Sequence, residues 1–422
     1  MARQIAPKMT DEDWRNLEHE VIQSFTPGTP INEAELLAGR GEITRQLQNT
    51  VLEPGRHALI YGERGVGKTS IANTFYRSLI KPTRNILPLR VNGDTSDTFE
   101  TLWRKVFRRI KVTLSDGREA WATDTHPEPL TADDVVTELS SFSADYCPII
   151  VLDEFDRIED QKCKSLISDI IKNLSDYTAN CTVVIVGVAK SVTELISNHA
   201  SVERALVQVH MRRLSRHELA DIVTLRLLRL GMAIEDAALW RITFFSFGLP
   251  FYTHSLGKHA SLRAIAEKRK KIIEADVFNA MQDCLSDVDY SVKESYVRGT
   301  EKIYRKKNVF AEVLAACSLT EIDSLGQFSA VAVEKPFSEI VGERTKSSSF
   351  GFHLNELSRP ERGLILDKSG ERRTYKFQFR NPLMQPYIIM RSIQENLITR
   401  DLLAQRMLKP QMELSIEPSQ PS

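Results

Sequence analysis

A glycine-rich stretch near the start of the chain, HALIYGERGVGKTSI from His57 to Ile71, constrains the fold more than any other feature. The apolar run from His57 to Tyr61 has the composition of a buried parallel strand, and a helical apolar period resumes at Ser70. Between them, glycine, lysine and threonine have the spacing of the phosphate-binding loop G-x-x-x-x-G-K-[ST]. Glycine-rich turns also join strands to helices for structural reasons alone, but here strand, loop and helix follow in the order that the motif needs.

This loop predicts a site for ATP or ADP. Backbone N–H groups of the loop and the start of the next helix would point at the phosphates. Lys68 would reach the β- and γ-phosphates, and the hydroxyl of Thr69 would ligate Mg²⁺. The predicted nucleotide-binding residues of the loop are Gly62, Glu63, Arg64, Gly65, Val66, Gly67, Lys68, Thr69 and Ser70.

A second apolar run, CPIIVLDE from Cys147 to Glu154, ends on two adjacent carboxylates. Downstream of a phosphate-binding loop, this pattern predicts a Walker B strand. Asp153 would hold Mg²⁺ through water, and Glu154 would polarise the attacking water, because catalysis of phosphoryl transfer is mostly positioning and charge stabilisation. The alternative is a buried strand that ends in a solvated acidic loop.

Charge and composition narrow the classes of partner. Lysine plus arginine and aspartate plus glutamate both number 56, so the net charge is zero and any basic surface must be local. The odd number of cysteines, with no C-x-x-C pair, predicts reduced core residues of a cytoplasmic protein. They are Cys147, Cys163, Cys181, Cys284 and Cys317. No apolar leader is evident, and no run approaches the roughly 20 apolar residues of a membrane span, so we expect no membrane association.

The order of elements predicts a fold of the α/β class. Strands alternate with helices through the first half, which favours a parallel sheet covered on both faces. A helix with one apolar stripe should start at a capping box from Asp97 to Glu100, and residues 112–130 should form a loop. We expect an N-terminal helix and linker over 1–30, a P-loop core over 31–230, a helical lid over 231–290, a linker helix and winged-helix domain over 291–405, and a disordered tail over 406–422.

The winged helix is predicted from the pattern near the C-terminus. Helices are expected at 310–316, 336–341 and 347–357, followed by two alternating strands around a turn at Ser369 and Gly370. Three helices and a hairpin in this order are typical of a winged helix.

These residues carry a resemblance to a known family. The chain resembles the origin-recognition-like branch of the AAA+ ATPases, and the related signal-transduction ATPases with numerous domains, in most of its length after about residue 30. The resemblance is specific over the two Walker motifs, and it implies a P-loop AAA+ parallel sheet with a helical lid, followed by a winged-helix domain. The segments that carry it are Gly39-Arg40-Gly41, GERGVGKT, IIVLDEFDRI, VVIVGVAKS, SVER and GLP.

The resemblance implies roles for further residues. Arg204 is the candidate arginine finger, with Arg212 and Arg213 as rivals and a surface salt bridge as the alternative. Arg40 and Pro250 would line the adenine pocket, although Arg40 could equally belong to a helix-capping loop. Lys190 stands where a nucleotide-sensing asparagine is expected, and no second-sensor arginine is evident after Gly248. These two departures favour a nucleotide switch over fast hydrolysis.

A local basic surface favours DNA as a partner. From Arg344 to Arg380 there are nine lysines and arginines against four acids, a balance of +5. The predicted contacts to double-stranded DNA are Arg344, Lys346, Lys368, Arg372 and Arg373, although a solvated wing explains the same charges.

The sequence therefore predicts a regulatory ATPase that hydrolyses Mg-ATP slowly and acts as a nucleotide-controlled switch, on DNA through its winged helix. It would form a nucleotide-dependent homo-oligomer or bind a partner protein. The alternative is a protein-only signalling switch whose winged helix is autoinhibitory. A stand-alone metabolic kinase is disfavoured, because no acceptor-binding domain is evident.

Overall fold

The structure is a computed structural model. It describes residues 9–30, 39–79, 85–113, 116–126, 128–143, 145–189, 192, 195, 200–301, 309–323, 326–371, 374–399 and 402.

The helices have the following bounds in chain order. They are α1 (Asp11–Ser24), α2 (Gly41–Leu52), α3 (Lys68–Thr74), α4 (Phe99–Phe107), α5 (Ala122–Thr125), α6 (Ala132–Ser140), α7 (Gln161–Asp176), α8 (Ala200–Ala205), α9 (Arg216–Arg229), α10 (Asp236–Ser246), α11 (Pro250–Ala266), α12 (Glu274–Asp287), α13 (Tyr290–Thr300), α14 (Phe310–Ser318), α15 (Ala330–Val341), α16 (Ser347–Glu356) and α17 (Met384–Gln394).

The strands have the following bounds in chain order. They are β1 (His57–Gly62), β2 (Asn85–Asn92), β3 (Lys111–Thr113), β4 (Glu119–Trp121), β5 (Tyr146–Asp153), β6 (Thr182–Val188), β7 (Leu206–His210), β8 (Ala233–Ile234), β9 (Lys271–Ile272), β10 (Phe328–Ser329), β11 (Leu366–Ser369) and β12 (Lys376–Phe379).

The chain divides into two compact units. The sheet unit consists of residues 19–233 and 248–254, and the helical unit consists of residues 1–18, 234–247 and 255–422.

The sheet unit is built on a parallel sheet with the strand order β2-β5-β6-β1-β7. All strand pairs of this five-stranded sheet are parallel, and Val184 of β6 lies beside Ala58 of β1 on one side and Val151 of β5 on the other. Nearly continuous burial along β5 and β6 is expected for parallel strands with both faces covered. This confirms the predicted α/β class and gathers the carboxyl ends of the strands on one edge.

The helix α4 packs its apolar stripe into the core of this unit. Trp103 and Phe107 are fully buried in a cluster that also contains residues of α6, α7 and the sheet. The predicted capping box is wrong by one residue, since Thr98 caps the helix and Thr101 completes the box. The reason is that the carboxylate of Asp97 binds the Lys105 ammonium at 2.6 Å and accepts from the Thr101 hydroxyl.

The segment predicted as a loop over 112–130 is partly structured. The strands β3 and β4 form an antiparallel pair in which Lys111 lies opposite Trp121, and α5 follows. The side chain of Lys111 also pairs with Glu119 at 2.9 Å. Polar composition hid this hairpin, because its strands are only three residues long and expose most of their side chains.

The C-terminal part of the helical unit contains α14, α15, α16, α17 and an antiparallel sheet of the order β10-β12-β11. Three helices and a hairpin therefore occur in the predicted order. The loop between Ser369 and Lys376 is longer than the predicted two-residue turn, since these two residues are the last pair of the register.

The helix α15 is longer than predicted, because it starts at Ala330 and continues through Pro336. Proline usually ends a helix, since it lacks the N–H that would bond to residue i−4. Here the side chain of Ser329 caps the helix by accepting from Ala332 N–H, and Pro336 and Phe337 are buried. Burial of the apolar face thus outweighs the lost hydrogen bond.

All five cysteines are buried, as predicted for core residues. In the part of the chain that the structure describes, no helix has both the length and the apolar character of a membrane span.

Candidate nucleotide site

The glycine-rich loop follows β1 directly and leads into α3. Gly65 and Gly67 have φ values of 86° and 91°, a left-handed conformation that residues with a Cβ rarely adopt. A Cβ added to Gly67 would meet no described atom within 4 Å, so the backbone is open to approach at this point. The loop thus has the shape that the motif predicted.

Lys68 lies inside this loop and is 8% exposed. Its Nζ donates to the carbonyl of Gly62 at 3.0 Å and to the carbonyl of Glu63 at 2.8 Å. Burial lowers the pKa of Lys68 to about 8, while the carboxylates of Asp156 and Asp153 act in the opposite direction. The ammonium is therefore held inside the loop, where its attraction to a bound anion is strengthened by burial.

The two carboxylates at the end of β5 have different environments. Asp153 has a side chain that is 3% exposed, and one of its oxygens accepts from the N–H of Glu154 at 2.8 Å. Glu154 has a left-handed backbone, with φ 53° and ψ 35°, and its half-exposed carboxylate pairs with Arg157 at 2.8 Å. One carboxylate is thus buried beside the sheet, and its neighbour is turned toward solvent.

Arg90 of β2 is a residue of this site that the sequence analysis missed. Its Nη2 donates to the second oxygen of Asp153 at 2.8 Å, and its Nη1 donates to Oδ1 of Asn73 at 2.8 Å. A cation in the otherwise apolar segment ILPLRV, residues 86–91, is the signal that could have indicated a buried carboxylate partner.

The donor set fits Mg²⁺, which prefers oxygen ligands and usually takes only one or two carboxylates from the protein. The half-buried Thr69 offers a hydroxyl in the first turn of α3, and Asp153 offers a buried carboxylate. Of the other loop residues, Arg64 is exposed, Val66 is buried and Ser70 is half-buried.

Arg40, which we expected to line the adenine pocket, lies against the P-loop. It is 3% exposed, and its Nη2 donates to the carbonyls of Val66 at 2.9 Å and Arg212 at 2.8 Å. Its Nη1 is buried without a hydrogen-bond partner among the described residues, and burial lowers the pKa of Arg40 to about 10. A buried donor without a partner is costly, so a ligand that accepts from it would be favoured.

The segment Gly248-Leu249-Pro250 lies against the residues that follow β7, Arg213 and Leu214. The carbonyl of Gly248 accepts from the N–H of Leu214 at 2.9 Å, and a Cβ added to Gly248 would lie 2.6 Å from Cβ of Arg213. Only glycine fits here, because φ is also positive at 78°. Pro250 then starts α11 two residues later.

The three arginines considered as arginine fingers differ in their contacts. Arg213 pairs with Glu63 of the loop at 2.7 Å, and Arg212 pairs with Glu218 at 2.7 Å. Arg204 is exposed at the end of α8, and the contacts described for it involve only its carbonyl, which accepts from Arg56. The contact between Arg213 and Glu63 was not predicted from the sequence.

Lys190 of the predicted sensor lies outside the described residues. Among the residues predicted to bind DNA, Arg372 and Arg373 also lie outside them. Arg344 and Lys346 are exposed just before α16. Lys368 on β11 donates to Oδ1 of Asn355 at 2.6 Å, and its Nζ lies 3.5 Å from the centre of the Tyr375 ring.

Other cations of this basic segment bind acids of the same chain. Lys376 pairs with Asp323 at 2.6 Å, and Arg380 pairs with Asp367 at 3.4 Å. The local excess of positive charge is thus partly neutralised within the chain.

The fold and this site are those of a P-loop nucleotide-binding protein. Residues 36–185 match the family model of the AAA ATPase domain, so the chain carries such a domain. None of the curated proteins compared with the chain matches it.

Solved structures with a similar fold cover nearly the whole chain. The Orc2 protein of Aeropyrum pernix, solved as ADPNP–ADP complexes, is 14% identical, covers 91% of this chain and 98% of its own, and has a TM-score of 0.52. The Walker-type ATPase of Pyrococcus abyssi is 13% identical, covers 86% of this chain and 99% of its own, and has a TM-score of 0.50. At these identities, the similarity concerns the fold.

Proposed function

We propose that this chain binds Mg-ATP in its P-loop, hydrolyses it slowly and acts as a switch, so that its interactions with partners depend on which nucleotide is bound. The observation that carries this proposal is the set of contacts between the P-loop and two other segments: Arg40 donates to Val66, and Arg213 binds Glu63. A ligand in the loop would act directly on both segments. We assign the ATPase core to residues 31–230, the lid to 231–290, and a linker helix with a winged-helix domain to 291–405.

In this function, Lys68 binds the phosphates, Thr69 and Asp153 hold Mg²⁺, and Glu154 accepts the proton of the attacking water. Bound Mg²⁺ would supply charge neutralisation of the phosphates. Glu154 is half-exposed and paired with Arg157, so it must leave this partner to act as a base. This requirement is consistent with slow hydrolysis.

Arg204 completes the site from a neighbouring copy of the chain. Its guanidinium is exposed, whereas the rivals Arg212 and Arg213 are bound to carboxylates of their own chain. The site is then fully active only in an oligomer.

Double-stranded DNA is the proposed target of the C-terminal domain, through the exposed Arg344 and Lys346 before α16. The second candidate is a protein-only switch. It is favoured by the ion pairs of Lys376 and Arg380, which leave fewer cations for phosphates.

The direct test of the proposal is a comparison of Lys68→Ala and Glu154→Gln with the wild type. A ligand at a hundredfold its Kd adds about 2.7 kcal/mol to the free energy of unfolding, which gives a clear thermal shift. We expect this shift with Mg-ATP for the wild type and for Glu154→Gln, without ATP turnover in the latter. An equal shift in Lys68→Ala would disprove the assignment of the P-loop.

A further inference from the structure

The carboxylate of Asp153 has both of its oxygens engaged by groups of its own chain. One oxygen accepts from the N–H of Glu154, and the other accepts from Nη2 of Arg90, both at 2.8 Å. Hydrogen bonds between ionised groups are about twice as strong as neutral ones. A metal ion that uses Asp153 must therefore compete with Arg90 for the negative charge of this side chain.

Arg90 also reaches the helix that follows the P-loop. Its Nη1 donates to Oδ1 of Asn73 on α3 at 2.8 Å, and Asn73 is 9% exposed. The Nε of Arg90 is buried without a hydrogen-bond partner among the described residues. The guanidinium is thus fixed through its two Nη atoms, one on the phosphate-binding helix and one on the Walker B strand.

We propose that Arg90 is a positioning residue that sets the metal requirement of this site: it neutralises Asp153, so nucleotide is held without Mg²⁺, and it competes with Mg²⁺ for this carboxylate. The inference rests on the proposed binding of nucleotide in the P-loop. It adds a residue that determines how strongly the binding of Mg²⁺ and the binding of nucleotide affect each other.

The electrostatic reason follows from the charges on each side of the site. Without Arg90, the carboxylate of Asp153 would be unpaired and would repel the phosphates of a metal-free nucleotide. With Mg²⁺ present, the same free carboxylate would attract the metal more strongly, because the competing cation is gone. Loss of the Arg90 charge thus weakens metal-free binding and preserves or strengthens metal-bound binding.

The quantity that separates this role from a merely structural one is the ratio of two dissociation constants for ADP, measured with EDTA and with Mg²⁺. A variant that only damages the fold weakens both states and leaves the ratio unchanged. Calorimetric titration of the full chain measures both constants.

We expect Arg90→Met to raise this ratio about tenfold or more, because it removes the charge-assisted hydrogen bond to Asp153. Asn73→Ala removes one hydrogen bond of the guanidinium without removing its charge, so it should raise the ratio less. It is the variant to measure if Arg90→Met does not fold. The matched control is Arg104→Met, which removes an arginine that pairs with Glu100 at 3.0 Å on α4 and should leave the ratio unchanged.

Three outcomes distinguish the inference from the proposed function. An unchanged or lowered ratio in both Arg90→Met and Asn73→Ala overturns the role of Arg90 while nucleotide binding stands. An equal rise in Arg104→Met assigns the effect to general loss of charge and also overturns it. Failure of the wild type to bind ADP in either condition contradicts the proposed function itself.

Discussion

The guanidinium of Arg213 contacts the carboxylate of Glu63 at 2.7 Å and joins the segment before Leu214 to the P-loop. The two residues are 150 positions apart in the chain. Both side chains are partly exposed, at 25% and 33%, so the pair itself adds less than about 1 kcal/mol to stability. Its importance lies in the charge that each partner brings close to the nucleotide.

Substitutions of this pair should therefore change nucleotide affinity in opposite directions. Glu63→Gln removes a negative charge close to the nucleotide, so ADP should bind several-fold more tightly, whereas Arg213→Gln removes a positive charge and should weaken binding by a similar factor. The double substitution should restore the wild-type Kd within about twofold, because the charges cancel again. Calorimetry measures all three, and a loss of affinity in Glu63→Gln would refute the electrostatic explanation.

Arg204→Ala should nearly stop ATP turnover and leave ATP affinity unchanged, because an arginine finger accelerates phosphoryl transfer by roughly 10³ to 10⁵. Mixing this variant with Lys68→Ala should restore activity, since each protein supplies what the other lacks. Arg212→Ala is the matched control, because Arg212 binds Glu218 in its own chain. Turnover per molecule that is independent of protein concentration, without rescue, would argue against a shared site.

Nucleotide affinity should fall as pH rises above about 8, because the pKa of Lys68 is lowered to about 8 in the folded protein and phosphate binding needs its charged form. The association constant should decrease up to about tenfold per pH unit there. A titration of Kd from pH 7 to pH 10 measures this.

The stability of the nucleotide-free protein should show the opposite trend. Between pH 8 and the ordinary lysine pKa of 10.5, the unfolded state binds more protons at this residue, so the contribution of Lys68 to the unfolding free energy rises with pH. Urea denaturation of the wild type and Lys68→Met isolates this contribution as a difference. A difference that is constant over this range would contradict the lowered pKa.

Binding to duplex DNA should depend on salt through Arg344 and Lys346. Each phosphate contact adds about −0.9 to the slope of log affinity against log salt, so Arg344→Ala with Lys346→Ala should flatten the slope by up to about 2. Lys376→Ala with Arg380→Ala removes the same net charge from cations that are ion-paired, and should change the slope less. If the wild type shows no salt-dependent affinity in any nucleotide state, the protein-only switch is the better function.

Local patterns were sufficient to predict much of the sheet unit. The P-loop and the Walker B strand lie where their motifs indicated. These features depend on neighbouring residues in the sequence. Where a longer-range contact decides, prediction failed: Asp97 binds Lys105 instead of capping α4, and Pro336 is accommodated within α15 by burial.

The contacts that shape the site could not be predicted in this way. Arg90 meets Asp153 because β2 lies beside β5 in the sheet, and the two residues are 63 positions apart. Arg213 reaches Glu63 because β7 pairs with β1 and brings the segment after β7 to the P-loop. Strand order decides both contacts, and no short motif encodes it.

The left-handed backbone at Glu154 makes this position useful as an experimental tool. Since the chain turns there, the side chain leaves the sheet, and a change of its chemistry need not disturb the buried Asp153. A glutamine keeps the size and removes the base, whereas a β-branched residue would add strain to an already uncommon conformation. Glu154→Gln is therefore the form with which to capture long-lived assemblies from cells, because it should retain ATP and the partners that recognise the ATP state.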